Sequence, residues 1–423
     1  MEKITLKNGL RIILLPVPDV RSASFGIWVL SGSRFENPQN SGVSHFIEHM
    51  LFKGTQSRTA FDIAGLTDDI GGQINAFTAK EFTCFYGKTL DTHLISGLEM
   101  LVDMVKNPLF SQNDLDTERG VITEELDMYE DSPEDLASDL LHEGLFPYDM
   151  LKDNIAGTKD IVNSLKREDL LGHMKKTYTP NRMVIAVGGS YEKQEIIDKI
   201  TSLLGDEPCE NKESLKPQNM FENTVQTTCL KLCKKDFEQT SILLSLPVFG
   251  IGDTRRFSLS VINSILGGSQ TSRMNQRIRE ELGLAYSAYS YVSGYIGTGS
   301  LIMGLQLNPK SENKALAETL KILNEFTNSL TEDEVKRTCD KIKINTVLGF
   351  ESISTRVGFL GRNELLLEDL QTSDQIIAEI DNVSFSDVKK LSEEIFDIKK
   401  ISLAAVGKVN NEAFYKKILA GSM

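Results

Sequence analysis

Hydrophobic and polar positions follow two different periods along the first half of the chain. Residues 10–16 and 22–29 are short apolar segments bounded by turn-forming residues, which predicts strands. Within residues 42–53 the apolar side chains fall at helical spacing instead, at Val43, Phe46, Ile47, Met50 and Leu51. We therefore expect a helix there, with Ser41 as its N-terminal cap.

The series of predicted strands and helices continues to residue 188, and a similar series then follows in the second half of the chain. Further elements predicted for the first half are strands at 73–77, 82–89 and 183–188, with helices at 93–106, 113–130 and 165–177. Elements predicted for the second half are strands at 227–234, 242–246, 285–292 and 300–307, with helices at 255–266, 312–329 and 332–350. Segment 381–407 also resembles segment 162–188.

This order of elements indicates an internal duplication, which decides the fold class. We expect an α+β fold made of two repeated α/β-sandwich-type domains, each with a mixed, mostly antiparallel sheet and helices. The first domain would span 1–208 and the second 224–423. The linker would be 209–223, a polar stretch with little periodicity.

Length, charge and hydropathy narrow the class of protein. The chain has 423 residues and a formal net charge of -14, which argues against nucleic-acid binding because that requires clustered lysine and arginine. No apolar run approaches the roughly 18–20 residues of a membrane span. Residues 1–6 lack the basic and then apolar pattern of a signal peptide. We expect a cytoplasmic protein that does not bind a membrane.

The segment Ser44-His45-Phe46-Ile47-Glu48-His49 carries the most specific chemistry. Residues four apart on a helix project from one face, so both imidazoles can bind one Zn²⁺. Glu48 can reach a water molecule at such a metal and act as its general base. The plainer interpretation is an amphipathic helix with polar residues on its wet side, and the motif alone leaves both open. The order His-x-x-Glu-His is nevertheless that of the inverted zinc-peptidase motif.

A catalytic zinc needs a third protein ligand, and the acidic helix at 118–127 is the best source. Helical spacing puts Glu118 and Glu125 on the side that carries Val121 and Met128, whereas Glu124 and Asp127 turn away. An acid on an apolar side needs a partner, because burying an unpaired charge is costly. Glu118 and Glu125 are therefore the candidates for the third ligand, and a merely solvated acidic surface is a poor explanation of Glu125.

The two motifs together resemble those of the pitrilysin/insulinase family of zinc metallopeptidases. The match includes His45-x-x-Glu48-His49 and Glu118-Arg119-x-Val121-Ile122-x-x-Glu125, and it extends from residue 6 to residue 407. The length is similar to the short-chain branch, which includes mitochondrial processing peptidases and bacterial relatives. The resemblance implies one Zn²⁺ per chain, with His45, His49 and Glu125 as ligands and Glu48 as base. It implies Glu118 as a supporting carboxylate that does not bind the metal.

Two further segments concern the substrate. Residues 71–78, which include Asn75, Ala76 and Phe77, resemble the edge strand on which this family adds a peptide as another strand. An ordinary hairpin is the alternative. Arg279 and Tyr286 resemble the paired residues that reach the substrate near the scissile bond, and both can donate to a developing oxyanion. All five histidines precede residue 174, and a residue near Lys343 stands where Glu125 does, so the duplication is asymmetric.

The resemblance implies pairs of chains closed around a chamber. Because one chain carries both residue sets, a homodimer with two sites is the expectation, and a heterodimer with an inactive relative stays an alternative. The expected partner of the site is a peptide substrate. The competing functions are a non-catalytic peptide-binding or scaffold subunit of the same fold, a subunit active only with a different partner chain, and a zinc-storage or regulatory protein, which would have no use for Glu48.

Overall fold

The computed structural model of the chain describes residues 1–207, 209, 217–222 and 224–420. Its strands, in chain order, are β1 (Glu2–Thr5), β2 (Arg11–Pro16), β3 (Ser22–Val29), β4 (Gln73–Thr78), β5 (Thr83–Leu90), β6 (Met183–Gly189), β7 (Leu230–Lys234), β8 (Thr240–Val248), β9 (Ala285–Tyr295), β10 (Thr298–Leu307) and β11 (Ser402–Gly407). Most of the predicted linker 209–223 lies outside the described residues.

Among the described residues the helices outnumber the strands, and most of them lie between strands in the sequence. They are α1 (Val43–Leu51), α2 (Ala60–Asp69), α3 (Leu94–Lys106), α4 (Gln112–Asp131), α5 (Pro133–Leu145), α6 (Lys159–Ser164), α7 (Arg167–Thr177), α8 (Lys193–Leu204), α9 (Arg256–Leu266), α10 (Glu312–Ser329), α11 (Glu332–Gly349), α12 (Ile353–Leu367), α13 (Ser373–Asp381), α14 (Phe385–Ile395) and α15 (Glu412–Leu419). A π-helical segment spans Asn275–Glu281.

The chain forms two compact units that exchange segments of sequence. Unit 1 contains residues 1–127, 153–217 and 348–371, and unit 2 contains residues 128–152, 218–347 and 372–423. Helix α5 of the first repeat therefore belongs to unit 2, and helix α12 of the second repeat belongs to unit 1. The predicted domain boundaries, 1–208 and 224–423, stay a prediction, and neither exchange was predicted from the sequence.

Unit 1 is built on a six-stranded sheet of order β1-β2-β6-β3-β5-β4. Only β2 and β6 pair in parallel, and the other neighbours are antiparallel. The central strands β3 and β6 are buried along almost their whole length, which explains their continuous apolar character. Strand β5 alternates buried and exposed residues, and β4 lies at an edge of the sheet.

Unit 2 repeats this plan with a five-stranded sheet of order β7-β11-β8-β10-β9. Strands β7 and β11 again form the parallel pair, and the remaining neighbours are antiparallel. Helix α5 packs on this sheet, where Ala137, Leu141 and Leu145 join a buried cluster with strand residues Leu243, Ile302, Ala404 and Val406. The predicted fold class, two repeated α+β domains with mixed sheets, is confirmed.

Helix α12 is attached to the sheet of unit 1 by close packing and by a buried ion pair. Gly361 lies against Trp28 so closely that a Cβ atom there would come within 2.4 Å of the indole. Arg11, 1% exposed, donates from Nη1 to the Glu364 backbone carbonyl at 3.0 Å and lies 3.4 Å from the Glu364 carboxylate. Lys3 reaches the same carboxylate at 2.6 Å. Two cations thus share one buried acid, and Arg11 also lies 3.9 Å from the Glu368 carboxylate.

We expect Glu364→Gln to destabilise unit 1 by about 3 kcal/mol, because the buried Arg11 then keeps only the more distant Glu368 carboxylate, 3.9 Å away, as a countercharge. The measurement is urea-induced unfolding followed by the emission of Trp28, the chain's single tryptophan, which lies against α12. The control is Asp91→Asn, which removes the partner of the exposed Arg21 and should leave the transition almost unchanged. Equal effects of the two variants would contradict a special role of the buried pair.

Candidate metal centre

Helix α1 carries both histidines of the motif, and a buried carboxylate anchors its N-terminus. The Glu36 carboxylate accepts hydrogen bonds from the backbone N–H groups of Gly42 at 2.7 Å and Ser44 at 2.8 Å. Burial raises the pKa of Glu36 to about 7. The predicted cap Ser41 is therefore wrong: Gly42, with a left-handed φ of 93°, is the residue that precedes the helix. Glu36 already binds the amide groups that a serine cap would have bound.

His45 and His49 lie one turn apart on α1, as predicted, and their ring centroids are 4.6 Å apart. Their Nε2 atoms lie 3.7 and 3.6 Å, respectively, from the same atom, Oε2 of Glu125. Burial lowers the pKa of His45 to about 4, and the neighbouring His49 acts in the same direction. His45 is consequently neutral at physiological pH, with a lone pair available to a metal.

Helix α4 supplies two carboxylates with different surroundings. Glu118 is 3% exposed and lies on the buried face, next to Ile122 in the helical pattern. Glu125 shares a side of the helix with Val121 and Met128, but these two residues are 46% and 71% exposed. The expectation that Glu125 lies on a buried apolar side is therefore wrong, because apolar residue type does not guarantee burial. Glu125 lies at the border of the two faces, with its side chain 31% exposed.

Glu118 orients His49 from behind. Its Oε2 atom is 3.1 Å from Nδ1 of His49, and its Oε1 atom is 2.6 Å from Nζ of Lys53. An ionised carboxylate only accepts hydrogen bonds, so this contact assigns the ring proton of His49 to Nδ1. The Nε2 lone pair of His49 is then directed toward Glu125. Hydrogen bonds of this kind fix the tautomer and the orientation of metal-binding histidines.

The three side chains fit a divalent metal. Ligand atoms from His45, His49 and Glu125 all lie within 4.8 Å of one another, and this is the one such group of three found among the described residues. Atoms bound at about 2.0 Å to a tetrahedral Zn²⁺ are about 3.3 Å apart, which is close to the observed separations of 3.6 and 3.7 Å. Two neutral imidazoles and one carboxylate are also a donor set typical of catalytic zinc.

Glu48 lies on the same helix and is held by a side chain from the edge strand. The hydroxyl of Thr78, the last residue of β4, donates to Oε2 of Glu48 at 2.6 Å. Burial raises the pKa of Glu48, and the Thr78 hydrogen bond opposes that shift only in part. A carboxylate with a raised pKa is a stronger base, which suits a proton acceptor that works near neutral pH.

Sequence reasoning missed three residues that support the site: Glu36, Lys53 and Thr78. Lys53 follows His49 by one helical turn, so its spacing could have indicated a contact on the same face as the histidines. Thr78 directly follows the strand predicted at 73–77 and Glu36 lies in a loop, and neither position carries a periodic signal. Only the folded chain brings these two residues to the metal helix.

The remaining predicted site residues lie on three elements. Asn75, Ala76 and Phe77 are on the edge strand β4, where Phe77 is 43% exposed. Arg279 lies in the π-helical segment of unit 2. Tyr286 is the second residue of β9 and is 76% exposed. Tyr286 lies within the strand predicted at 285–292. The roles of Arg279 and Tyr286, like those of the β4 residues, stay predictions.

A duplicated fold with this site in one half and no histidine in the other defines a metallopeptidase-like chain with one site-bearing repeat. The model of the family "Insulinase (Peptidase family M16)" matches residues 11–159, and that of the "Peptidase M16 inactive domain" matches residues 164–342. The chain belongs to peptidase family M16, which confirms the family predicted from the motifs. Lys343, which stands near the position of Glu125 in the repeat, forms ion pairs with Asp340 and Asp381.

Relatives of similar length carry names that agree with this family. The chain is 37% identical over 399 residues to the uncharacterized zinc protease YmxG of Bacillus subtilis, covering 94% of this chain and 96% of that protein. It is 33% identical over 416 residues to an uncharacterized zinc protease of Streptomyces coelicolor, covering 97% and 90%, respectively. A solved protease from Helicobacter pylori has the same fold, with a TM-score of 0.88 at 20% identity over 96% of this chain and 99% of that one.

No helix in the described part of the chain is long and apolar enough to cross a membrane.

We expect Glu125→Gln to lower the affinity for Zn²⁺ or Co²⁺ strongly, because it replaces a charged oxygen ligand by a neutral amide. Metal content after dialysis, measured by elemental mass spectrometry, provides the test. Glu124→Gln is the matched control, since Glu124 is the exposed neighbour on the same helix. Full metal occupancy in the Glu125 variant would exclude Glu125 as a ligand.

Proposed function

We propose that the protein is a zinc-dependent endopeptidase that hydrolyses unfolded peptides, or leader-like and presequence-like segments, inside an enclosed chamber. The observation that carries this proposal is the convergence of His45, His49 and Glu125 around one point, with Glu48 on the same helix. The names of the relatives and the family support the zinc-protease part of the proposal.

His45, His49 and Glu125 would hold one Zn²⁺ per chain. The bound ion supplies a Lewis acid and lowers the pKa of a water molecule to about 7. Glu118 and Lys53 keep the His49 ring in the tautomer that presents Nε2 to the metal position. Glu48 accepts the proton of the attacking water and can return it to the leaving amine, and Thr78 holds the Glu48 carboxylate in place.

The edge strand β4 is the proposed binding element for the peptide backbone. Within the described residues β4 pairs only with β5, so its other edge can accept a further strand. Such pairing uses backbone hydrogen bonds and is largely independent of side-chain identity. Thr78 belongs to this strand and touches Glu48, so a peptide bound along Asn75, Ala76 and Phe77 would pass next to the proposed base.

Arg279 and Tyr286 are proposed to donate hydrogen bonds to the oxyanion that forms on the scissile carbonyl. The exposed positions of both residues on unit 2 leave their polar groups available to a substrate. We further propose a cytoplasmic homodimer whose chains close around the peptide, which would exclude folded domains. A heterodimer with an inactive relative is the alternative assembly.

A non-catalytic peptide-binding or scaffold subunit is the second candidate function, and the chamber fold would serve it equally well. A pool of unstructured peptides, incubated with the protein with and without a chelator and analysed by mass spectrometry, separates the two. Chelator-sensitive new peptide ends support the peptidase, whereas retention of intact peptides supports the binding subunit. Activity that appears only after addition of a different chain supports the partner-dependent alternative.

We expect Glu48→Gln to retain metal and to bind peptide while turnover falls below detection, because an amide cannot accept the proton of the attacking water. Metal content and peptide affinity are measured on the same preparation as the cleavage rate. Near-normal turnover in this variant would show that another group is the base.

We expect Tyr286→Phe to lower kcat at least tenfold without a change in metal content, since it removes one hydroxyl and keeps the ring. Loss of one oxyanion donor typically costs about 10²- to 10³-fold in kcat, and Arg279 can compensate in part. Tyr291→Phe, the same change on the same strand, is the control. A raised KM with normal kcat would instead assign Tyr286 to general substrate binding.

A further inference from the structure

A cavity of about 370 Å³ lies in unit 1 between helix α12 and the outer strands β4 and β5. This volume is at the lower end of the roughly 300–1,000 Å³ typical of ligand pockets. Trp28 and Cys84 line it from the sheet, Val357 and Gly358 line it from α12, and Phe77 and Tyr86 also contribute to its wall. Phe77 and Tyr86 are 43% and 37% exposed, so the cavity has an apolar and accessible rim.

The cavity exists because α12 covers only the inner strands of the sheet. Ser24 of β3 contacts α12 through a 2.7 Å hydrogen bond to Ser354, and Trp28 of β3 packs against Gly361. Residues opposite each other on neighbouring strands share a face, and the residues of β4 and β5 that align with this face are Gln73, Asn75, Phe77, Cys84, Tyr86 and Lys88. These positions extend past the side of α12, where they leave the space that forms the cavity.

The edge strand β4 connects the cavity with the proposed base. Successive side chains of a strand point to opposite faces, so Phe77 points to the α12 face while Thr78 points to the other face. There the Thr78 hydroxyl contacts Glu48. The cavity and the contact with Glu48 thus lie on opposite faces of neighbouring residues, whose Cα atoms are about 3.8 Å apart.

A peptide that pairs with β4 must therefore direct every second side chain toward the α12 face. Gln73 and Phe77, at the two ends of β4, both line the cavity, and four residues of strand span about 13 Å. That length accommodates at least two side chains of the added strand at positions i and i+2.

We propose that this cavity is a specificity site for alternate side chains of a peptide paired with β4, and that it selects large apolar side chains and rejects lysine and arginine. The inference rests on the proposed function, because it assumes a peptide on β4. The exposed rings of Phe77 and Tyr86 gain from contact with an apolar side chain. Lys88 and Arg362 are the charged residues of the lining, and both are cations, so a basic side chain would meet charge of the same sign.

Gly358 offers a way to fill the cavity without disturbing its walls. A Cβ atom at Gly358 would have no neighbour within 4 Å, and the residue lies inside a helix, where replacement of glycine is favourable for the backbone. Gly358→Leu should therefore fold normally and occupy the space of a substrate side chain. Gly172→Leu is the matched control, because Gly172 also lies inside a helix with open space at its Cβ position.

The first experiment compares peptides that carry Phe, Ala or Lys at two alternate positions of an otherwise identical sequence. For the wild-type protein we expect kcat/KM to be at least tenfold higher with Phe than with Ala or Lys. Gly358→Leu should abolish this preference while leaving the metal content unchanged, and Gly172→Leu should behave as the wild type. Cleavage by the wild type with no preference, or a preference that survives Gly358→Leu, overturns the inference but leaves the proposed peptidase function intact.

The second experiment does not need turnover. Trp28 is the single tryptophan of the chain and lines the cavity, so its emission reports directly on occupancy. Binding of a peptide with 4-iodophenylalanine at an alternate position to the Glu48→Gln variant should quench Trp28, because the heavy atom acts only near contact. Adding Gly358→Leu to that variant should remove the quenching. If no peptide is cleaved by the wild type, the proposed function fails, and quenching alone then decides whether the cavity binds side chains.

Discussion

The contact between the His49 imidazole and the Glu118 carboxylate is the interaction on which the candidate metal centre depends. It joins helix α1 to helix α4 and sets the tautomer of His49. Because Glu125 follows Glu118 by seven residues, close to two helical turns, the same contact brings the Glu125 carboxylate to the Nε2 atoms of both histidines. Glu36 determines where α1 begins, and Lys53 balances the charge of Glu118. The three proposed ligands come from two helices, and the hydrogen bond between His49 and Glu118 joins these helices on the side away from the metal position.

The motif residues and the repeat could be predicted from the sequence because both depend on local spacing. The positions i and i+4 of His45 and His49 set their common face whatever surrounds the helix. The duplicated series of elements predicted that the two sheets share one plan, but it did not predict their strand order. The surroundings of Glu125 could not be predicted, since exposure of Val121 and Met128 depends on which elements cover α4. The prediction of Ser41 as the cap of α1 was wrong for a similar reason, because Glu36 reaches the helix from a loop.

Helices α5 and α12 show the limit of periodicity more clearly. Each has an apolar face, but periodicity does not say which sheet will bury that face. Helix α12 also contains Gly358 and Gly361, which weaken its helical pattern. One of these glycines is needed for the close approach of Trp28, and the other leaves the side of the cavity open. Both glycines, which are unfavourable inside a helix, thus have a structural role in α12.

The exchange of α5 and α12 makes each repeat incomplete as a fragment. A polypeptide ending near residue 208 would contain α5, whose buried face has its partner strands in the second repeat, and would lack α12, which covers β3 and β6. Such a half would expose apolar surface on a sheet and on a helix at once, which favours aggregation. The proposed metal ligands all come from the first repeat, but helix α12, which covers the sheet of unit 1, comes from the second. The site-bearing repeat therefore needs the metal-free repeat to complete its fold, even though it holds all three residues of the candidate site.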